Sequence, residues 1–329
     1  MSMRSLRQIL KFQTALQLLP ALESAEETLV GGQAVLEGVM MRSPHAWGIA
    51  VRKENGEIVS HSENLERPSE KSPWKGWPFI RGLMTLGQAM MLGFKALKYS
   101  ANIALDEAQP EAEKKLEISG WVAAVNVAFS VGFFIFMYKF LPYIATKGLR
   151  RWYPETSNTV VFALVEGVIR LAIFLGFIYL TSRFADIRRV YQYHGAEHKT
   201  VFAFENKDPL TCADVQRYST YHPRCGTSFL MTIMLISIGV YALVPVHTFW
   251  AGFAMRIVML PFIAGASYEI IRFAAKRRSS LFALMTLPGL WLQRITTKAP
   301  DDTQVEIAII ALDKAMELEA ARGGELVIA

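Results

Sequence analysis

The residues best suited to chemistry lie in one stretch of the chain. It contains His194-Gly195-Ala196-Glu197-His198 and, further on, His222-Pro223-Arg224-Cys225. Three of the six histidines and both cysteines fall inside it. Positions four apart share a helix face, so His194 and His198 can bind one metal ion. H-x-x-E-H is also the inverted form of a zinc-hydrolase signature. In that chemistry the two histidines bind zinc and the glutamate takes a proton from water. Zinc lowers the pKa of that water to about 7. This reading makes His194 and His198 ligands and Glu197 the base. His222 and Cys225, three apart on a turn stiffened by Pro223, supply the third ligand, or the third and fourth. Imidazole with thiolate suits Zn²⁺ better than Mg²⁺ or Ca²⁺. Against the motif, Gly195 weakens a helix by roughly 1 kcal/mol relative to alanine. Glu197 fits a solvated helix position, or a group orienting a ligand, as well as it fits a base. Cys212 has no partner pattern and reads as a plain thiol.

Apolar segments flank this stretch. Residues 119–146 carry one charge, Lys139. Residues 158–182 carry two, Glu166 and Arg170. Residues 228–249 carry none, and 251–273 carry Arg256, Glu269 and Arg272. About 20 apolar residues cross a bilayer as a helix. The expected fold is therefore a mainly α, helical integral membrane protein with about four transmembrane helices. The spans occupy 119–182 and 228–273, with 183–227 as the loop that bears the motif. Charges inside spans are costly and usually paired, so Glu166 with Arg170 reads as a structural ion pair, and Arg256 and Glu269 read as paired across helices. Basic residues concentrate in 183–227 and after the last span, at Lys276, Arg277 and Arg278. The positive-inside rule places those segments and both termini in the cytoplasm.

Residues 1–118 read as a cytoplasmic or membrane-apposed region with a small β-containing part. WGIAVRKENGEIVSHSE (47–63) predicts a β-hairpin turning at Asn55-Gly56, and GGQAVLEGVMMRSP adds another strand. Gly31-Gly32 and Gly38, around Glu37, read as a strand bulge, or as a loop bringing Glu37 to the metal. Pro68, Pro73 and Pro78 then break the chain. Residues 79–105 form an apolar helix with Arg81, Lys95 and Lys98, favoured as interfacial over a fifth span. In the tail, 274–329, the segment 281–292 is too short to span and reads as surface or re-entrant. Val305, Ala308, Ile309, Leu312, Ala315 and Met316 give 303–320 one apolar face. His45, His61 and His247 are isolated.

Composition agrees with a membrane protein. Hydrophobic residues are 52% and charged residues 19%, against roughly 25% charged in a soluble domain. Two cysteines exclude a disulfide-dense scaffold. The net charge of +6 fits contact with anionic lipid. No basic–aromatic nucleic-acid motif is present, and no pattern specifies an oligomeric state. The N-terminus lacks a signal-peptide core and cleavage site.

GGQAVLEGVMMRSP, YHGAEHKTVFAFE and HPRCGTSF together resemble the YqhQ-like family of bacterial membrane proteins, described as predicted metal-dependent enzymes. ITTKAPDDTQVEIAIIAL resembles its C-terminal signature, and the likeness runs from about Gly31 to Leu312. The resemblance implies a multi-span protein of the bacterial cytoplasmic (inner) membrane. It also supports a metal-binding role for His194, Glu197, His198, His222 and Cys225.

Two functions follow. In the first, a zinc hydrolase uses His194, His198 and one of His222 or Cys225 as ligands, with Glu197 as base, on a lipid-linked or membrane-peptide substrate. In the second, His194, His198, His222 and Cys225 close a structural site. The protein then binds a partner such as a membrane-protein insertion (translocon) or ribosome-associated complex. Transport, resting only on the intramembrane charges, ranks third.

Overall fold

The computed structural model describes residues 30–66, 74, 77–107, 120–223, 225–244, 248–276 and 280–321. Pro68, Pro73, Arg224, His247, Arg277, Arg278 and the N-terminal 1–29 lie outside them. Four strands open the chain: β1 (Gly31–Val35), β2 (Gly38–Arg42), β3 (Ala46–Arg52) and β4 (Ile58–Asn64). They form an antiparallel meander in the order β1-β2-β3-β4. GGQAVLEGVMMRSP, expected to add one strand, folds as two. Leu36-Glu37 makes the turn, with Glu37 at φ 49°. That turn has no glycine or asparagine to announce it, and the Glu37 carboxylate is held by the Arg189 guanidinium (Nε to Oε1 2.6 Å). Glu37 therefore pairs with Arg189 and plays no part in the cluster of histidines described below.

Residues 38–41 of β2 and 46–51 of β3 are all buried. Side chains alternate across a sheet, so continuous burial means that both faces are covered. Val39, Met41 and Ala50 meet Tyr193, Ala196, Val305, Ala308 and Leu312 on one face. Val35, Met40, Trp47, Ile49 and Val51 meet Leu92 and Ala96 on the other. Each such fully buried aliphatic side chain is worth roughly 1.5–3 kcal/mol.

The covering helices are α1 (Ile80–Glu107), α5 (Ala185–Glu205) and α10 (Asp302–Ala321). Asp301 and Gln304 start α10 reciprocally: Asp301 Oδ1 accepts from Gln304 N (2.9 Å), and Gln304 Oε1 accepts from Asp301 N (3.1 Å). Helix α1 serves two layers. Its later turns pack on the sheet, while Arg81 near its start donates to Glu269 (Nε to Oε1 2.7 Å).

Among the described residues, four helices are long and apolar enough to cross a membrane: Ala124–Leu149, Thr159–Thr181, Gly226–Leu243 and Phe249–Arg272. The first comprises α2 (Gly120–Ile135), a π-helical turn (Phe136–Phe140) and α3 (Leu141–Leu149). The others are α4 (Thr159–Thr181), α7 (Gly226–Leu243) and the bulk of α8 (Phe249–Lys276). The one-turn α6 (Cys212–Val215) lies in the loop between α5 and α7, and α9 (Ser280–Thr296) packs along α7. Glu166 does pair with Arg170. Arg256 and Glu269 each pair across helices, Arg256 with Glu166 and Glu269 with Arg81. Helix α8 thus joins α4 through Glu166 and joins α1 at its other end.

The ends of the soluble layer are tied by a buried carboxylate. Glu319, 2% exposed, accepts from Ser43 Oγ (2.7 Å) and His45 N (2.8 Å) and faces His45 Nδ1 (2.7 Å). Burial raises its pKa, but the hydrogen bonds from Ser43 and His45 outweigh that and leave it below the usual 4.5. The lowered folded-state pKa means the stabilisation is present above pH 4.5 and is lost as pH falls through the folded value. Glu319→Ala should lower the melting temperature of the purified protein at pH 7, because each stranded buried donor costs about 1–3 kcal/mol. The difference between wild type and this variant should shrink when the melts are repeated below pH 4.

Candidate metal centre

The second half of α5 is buried from Gly195 to Ala203, and its face carries His194, Glu197 and His198 towards the start of α7. Cys225 is the residue that caps α7, with Sγ accepting from Thr227 N at 3.5 Å. The ligand-type atoms of His194, His198 and Cys225 all lie within 4.8 Å of one another. His194 Nε2 is 3.2 Å from Cys225 Sγ. Glu197 Oε2 sits beside them, 3.6 Å from His198 Nε2 and 3.9 Å from His194 Nε2.

Both imidazoles are oriented from behind. His194 Nδ1 donates to Thr296 O (2.9 Å), and His198 Nδ1 donates to Thr220 O (2.6 Å). A proton on Nδ1 leaves a lone pair on each Nε2. His198 Nε2 is buried and makes no hydrogen bond. A buried polar atom without a partner calls for an explanation, and a ring nitrogen aimed at a thiol and a carboxylate fits a metal ligand. This is the arrangement in which an outer hydrogen bond fixes the tautomer of a ligating histidine. A cysteine–histidine nucleophile pair would account for His194 and Cys225 but leave His198 Nε2 unexplained. The donor set therefore fits a thiophilic divalent cation.

The electrostatics favour the same use. Burial pushes the Cys225 thiol up, yet His194 and His198 beside it hold it well below the usual 9. Burial pulls the His194 imidazole down, and the Cys225 thiolate more than compensates, raising it to about 9. The helix N-terminus adds to thiolate stabilisation. A divalent cation would take the place of the proton shared between them.

His222 does not join this group. It lies close by, with its ring centroid 5.7 Å from that of His198, but its Nε2 faces Glu205 Oε2 at 3.4 Å. Its backbone is clamped by Gln293, which accepts from His222 N (2.7 Å) and donates to His222 O (2.8 Å). Cys212 is far from the centre in function: it donates weakly to Asp302 O, and burial raises its pKa.

Several contributors carry no sequence signal. The carbonyls of Thr220 and Thr296 are backbone atoms. Gln293 shows only as an amide within an apolar segment. Lys199 donates to the carbonyls of Gln216 (2.7 Å) and Tyr218 (2.6 Å), pinning the loop that delivers Thr220. Gly195, which counts against a helix in isolation, is needed here. A Cβ there would lie 2.1 Å from Lys298 O, so any side chain would push away the segment that offers Thr296 O. At Gly32 a Cβ would meet Glu197 Cγ at 2.7 Å, so β1 makes room for the carboxylate.

Purified protein should carry about one divalent metal ion per chain, measured by mass spectrometry of the elements. His222→Asn should keep that stoichiometry. His198→Ala and Cys225→Ala should each reduce it at least tenfold after dialysis, because losing one of three ligands weakens the site far more than losing a neighbour.

The chain matches, over residues 77–318, the family model described as "Protein of unknown function (DUF1385)". It is 35% identical over 298 residues to "Uncharacterized protein YqhQ" of Bacillus subtilis (strain 168), covering 88% of this chain and 93% of that protein. No solved structure matches it. The His-x-x-Glu-His helix and the Cys225 turn both lie inside the family match, and the chain belongs to this DUF1385, or YqhQ-like, family.

Proposed function

We propose that this protein is a zinc-dependent hydrolase of the bacterial cytoplasmic membrane. The observation that carries the reading is the three-ligand cluster with a fourth, acidic group at its edge. His194, His198 and Cys225 converge within 4.8 Å, Glu197 stands beside them, and His222 is turned to Glu205. Catalytic zinc sites use three protein ligands and keep one position for water or substrate, whereas structural sites fill all four. When bound, zinc supplies a Lewis acid and makes water acidic near neutral pH. Glu197 Oε2 would accept the proton of the attacking water and return it to the leaving group. Nδ1 of each histidine keeps its proton on a backbone carbonyl throughout.

The substrate class follows from placement. The centre lies in the second half of α5, against the residue that caps the start of α7, one of the spanning helices. A lipid-linked molecule or a membrane peptide meets it there. The Lys/Arg excess of 183–227 supports the cytoplasmic face as that end. The Bacillus relative supports a bacterial cytoplasmic membrane.

One observation favours a second reading. Glu197 is only 6% exposed and lies near both Nε2 atoms, so it also suits a fourth ligand. The site would then be structural, and the protein would serve as a factor for a membrane-protein insertion or ribosome-associated complex.

Glu197→Gln separates the two. The amide keeps the size but accepts no proton, and loss of a general base lowers rate by about 10²–10⁴-fold. The variant should retain zinc and melting temperature but fail to complement a deletion strain. His198→Ala should lose both zinc and complementation. Growth like wild type with zinc-loaded Glu197→Gln would overturn the hydrolase reading. For orientation, a membrane-impermeant maleimide should label Ser157→Cys in intact cells and leave Asp208→Cys unlabelled. The reverse pattern would put the centre outside.

A further inference from the structure

A second polar cluster lies inside the spanning bundle, away from the metal centre. Glu166 and Arg170 come from α4, Ser237 and Tyr241 from α7, Arg256 from α8 and Lys139 from the π-helical turn Phe136–Phe140. Lys139, Arg170 and Arg256 are 4%, 3% and 5% exposed, and Glu166 is fully buried. Lys139 Nζ, Arg170 Cζ and Arg256 Cζ each lie 5.2 Å from the centroid of the Tyr241 ring. Three basic side chains thus surround one phenol, and two of them share one carboxylate.

Glu166 is saturated. Arg256 Nε reaches both its oxygens (2.9 and 2.8 Å), and Arg256 Nη2 and Arg170 Nη2 also donate to it. Arg256 Nη1 is satisfied by Gly252 O (2.9 Å). Arg170 Nη1 donates to Ser237 Oγ (2.7 Å), but its Nε is buried with no partner. Lys139 Nζ donates to Tyr241 Oη (3.0 Å), whose own proton goes to Arg256 O (3.1 Å). No carboxylate among the described residues pairs with Lys139.

Such an excess of positive charge is expensive inside a bilayer, where ionisable groups normally find an opposite charge. The backbone adds a separate sign. Single π-helical turns are frequent at functional sites, and this one holds the buried Lys139. We propose that Lys139 and Arg170, steadied by Tyr241 and Glu166, bind a single oxyanion of phosphate or carboxylate type within the bundle. Lysine ammonium and arginine N–H are the donors that such oxygens accept from most strongly. This assignment is independent of the metal centre.

The test uses the full-length protein in a neutral detergent, treated with a chelator so that added phosphate has no metal to ligate. Melting is followed with potassium chloride, with potassium phosphate at equal ionic strength, and with short-chain phosphatidic acid or phosphatidylcholine. Phosphate or phosphatidic acid should raise the melting temperature by about 3 °C or more over chloride and phosphatidylcholine. A shift with inorganic phosphate identifies a soluble anion as sufficient; a shift with phosphatidic acid alone identifies a lipid headgroup. Lys139→Met should abolish the shift, and Lys139→Arg should preserve it. Equal melting in chloride and in both phosphate forms would overturn the proposal. A shift that survives in Lys139→Met would overturn it as well.

Discussion

Two backbone carbonyls decide whether the centre exists. Thr296 O holds the ring of His194 and Thr220 O holds the ring of His198. One ends α9 and the other lies in the loop before α7. The cluster therefore forms only when both segments are docked on the same helix. Gly195 allows the first to approach, and Lys199 anchors the second. Gln293 joins the two, since it sits on α9 and clamps the backbone of His222.

That dependence explains why a small sheet accompanies a membrane bundle. β2 and β3 are apolar on both faces and need cover from α1, α5 and α10. Helix α5 is a wall of that layer and also the direct continuation of α4. Packing the sheet on α5 fixes the helix that carries His194, Glu197 and His198, and Gly32 of β1 leaves space for Glu197. Helix α1 ties the opposite face of the sheet to α8 through Arg81 and Glu269. The candidate metal centre is thus held at the seam between the sheet layer and the apolar helices.

The two polar clusters handle burial differently. At the seam, two imidazoles, a thiol and a carboxylate converge around a spot suited to a cation. In the bundle, three basic side chains surround a phenol, and two of them share a single carboxylate.

Much of this was legible in the residues themselves. Lengths of apolar sequence specify spans, because a bilayer interior accepts backbone only as helix. The i, i+3, i+4 spacing of His194, Glu197 and His198 puts them on one face, because helical geometry is local. Asn55-Gly56 marks the β3–β4 turn for the same reason. What tertiary structure alone decided is partnership. His222 and Cys225 are equally good ligands by type and spacing, yet Cys225 caps α7 and faces His194, while His222 is claimed by Glu205. Arg256 reaches Glu166 because α4 and α8 both pack on α7 in the bundle. Glu37 serves a turn, and Gly195 serves a close contact with Lys298. Each of these outcomes depends on which element lies alongside, a long-range fact that no local pattern encodes.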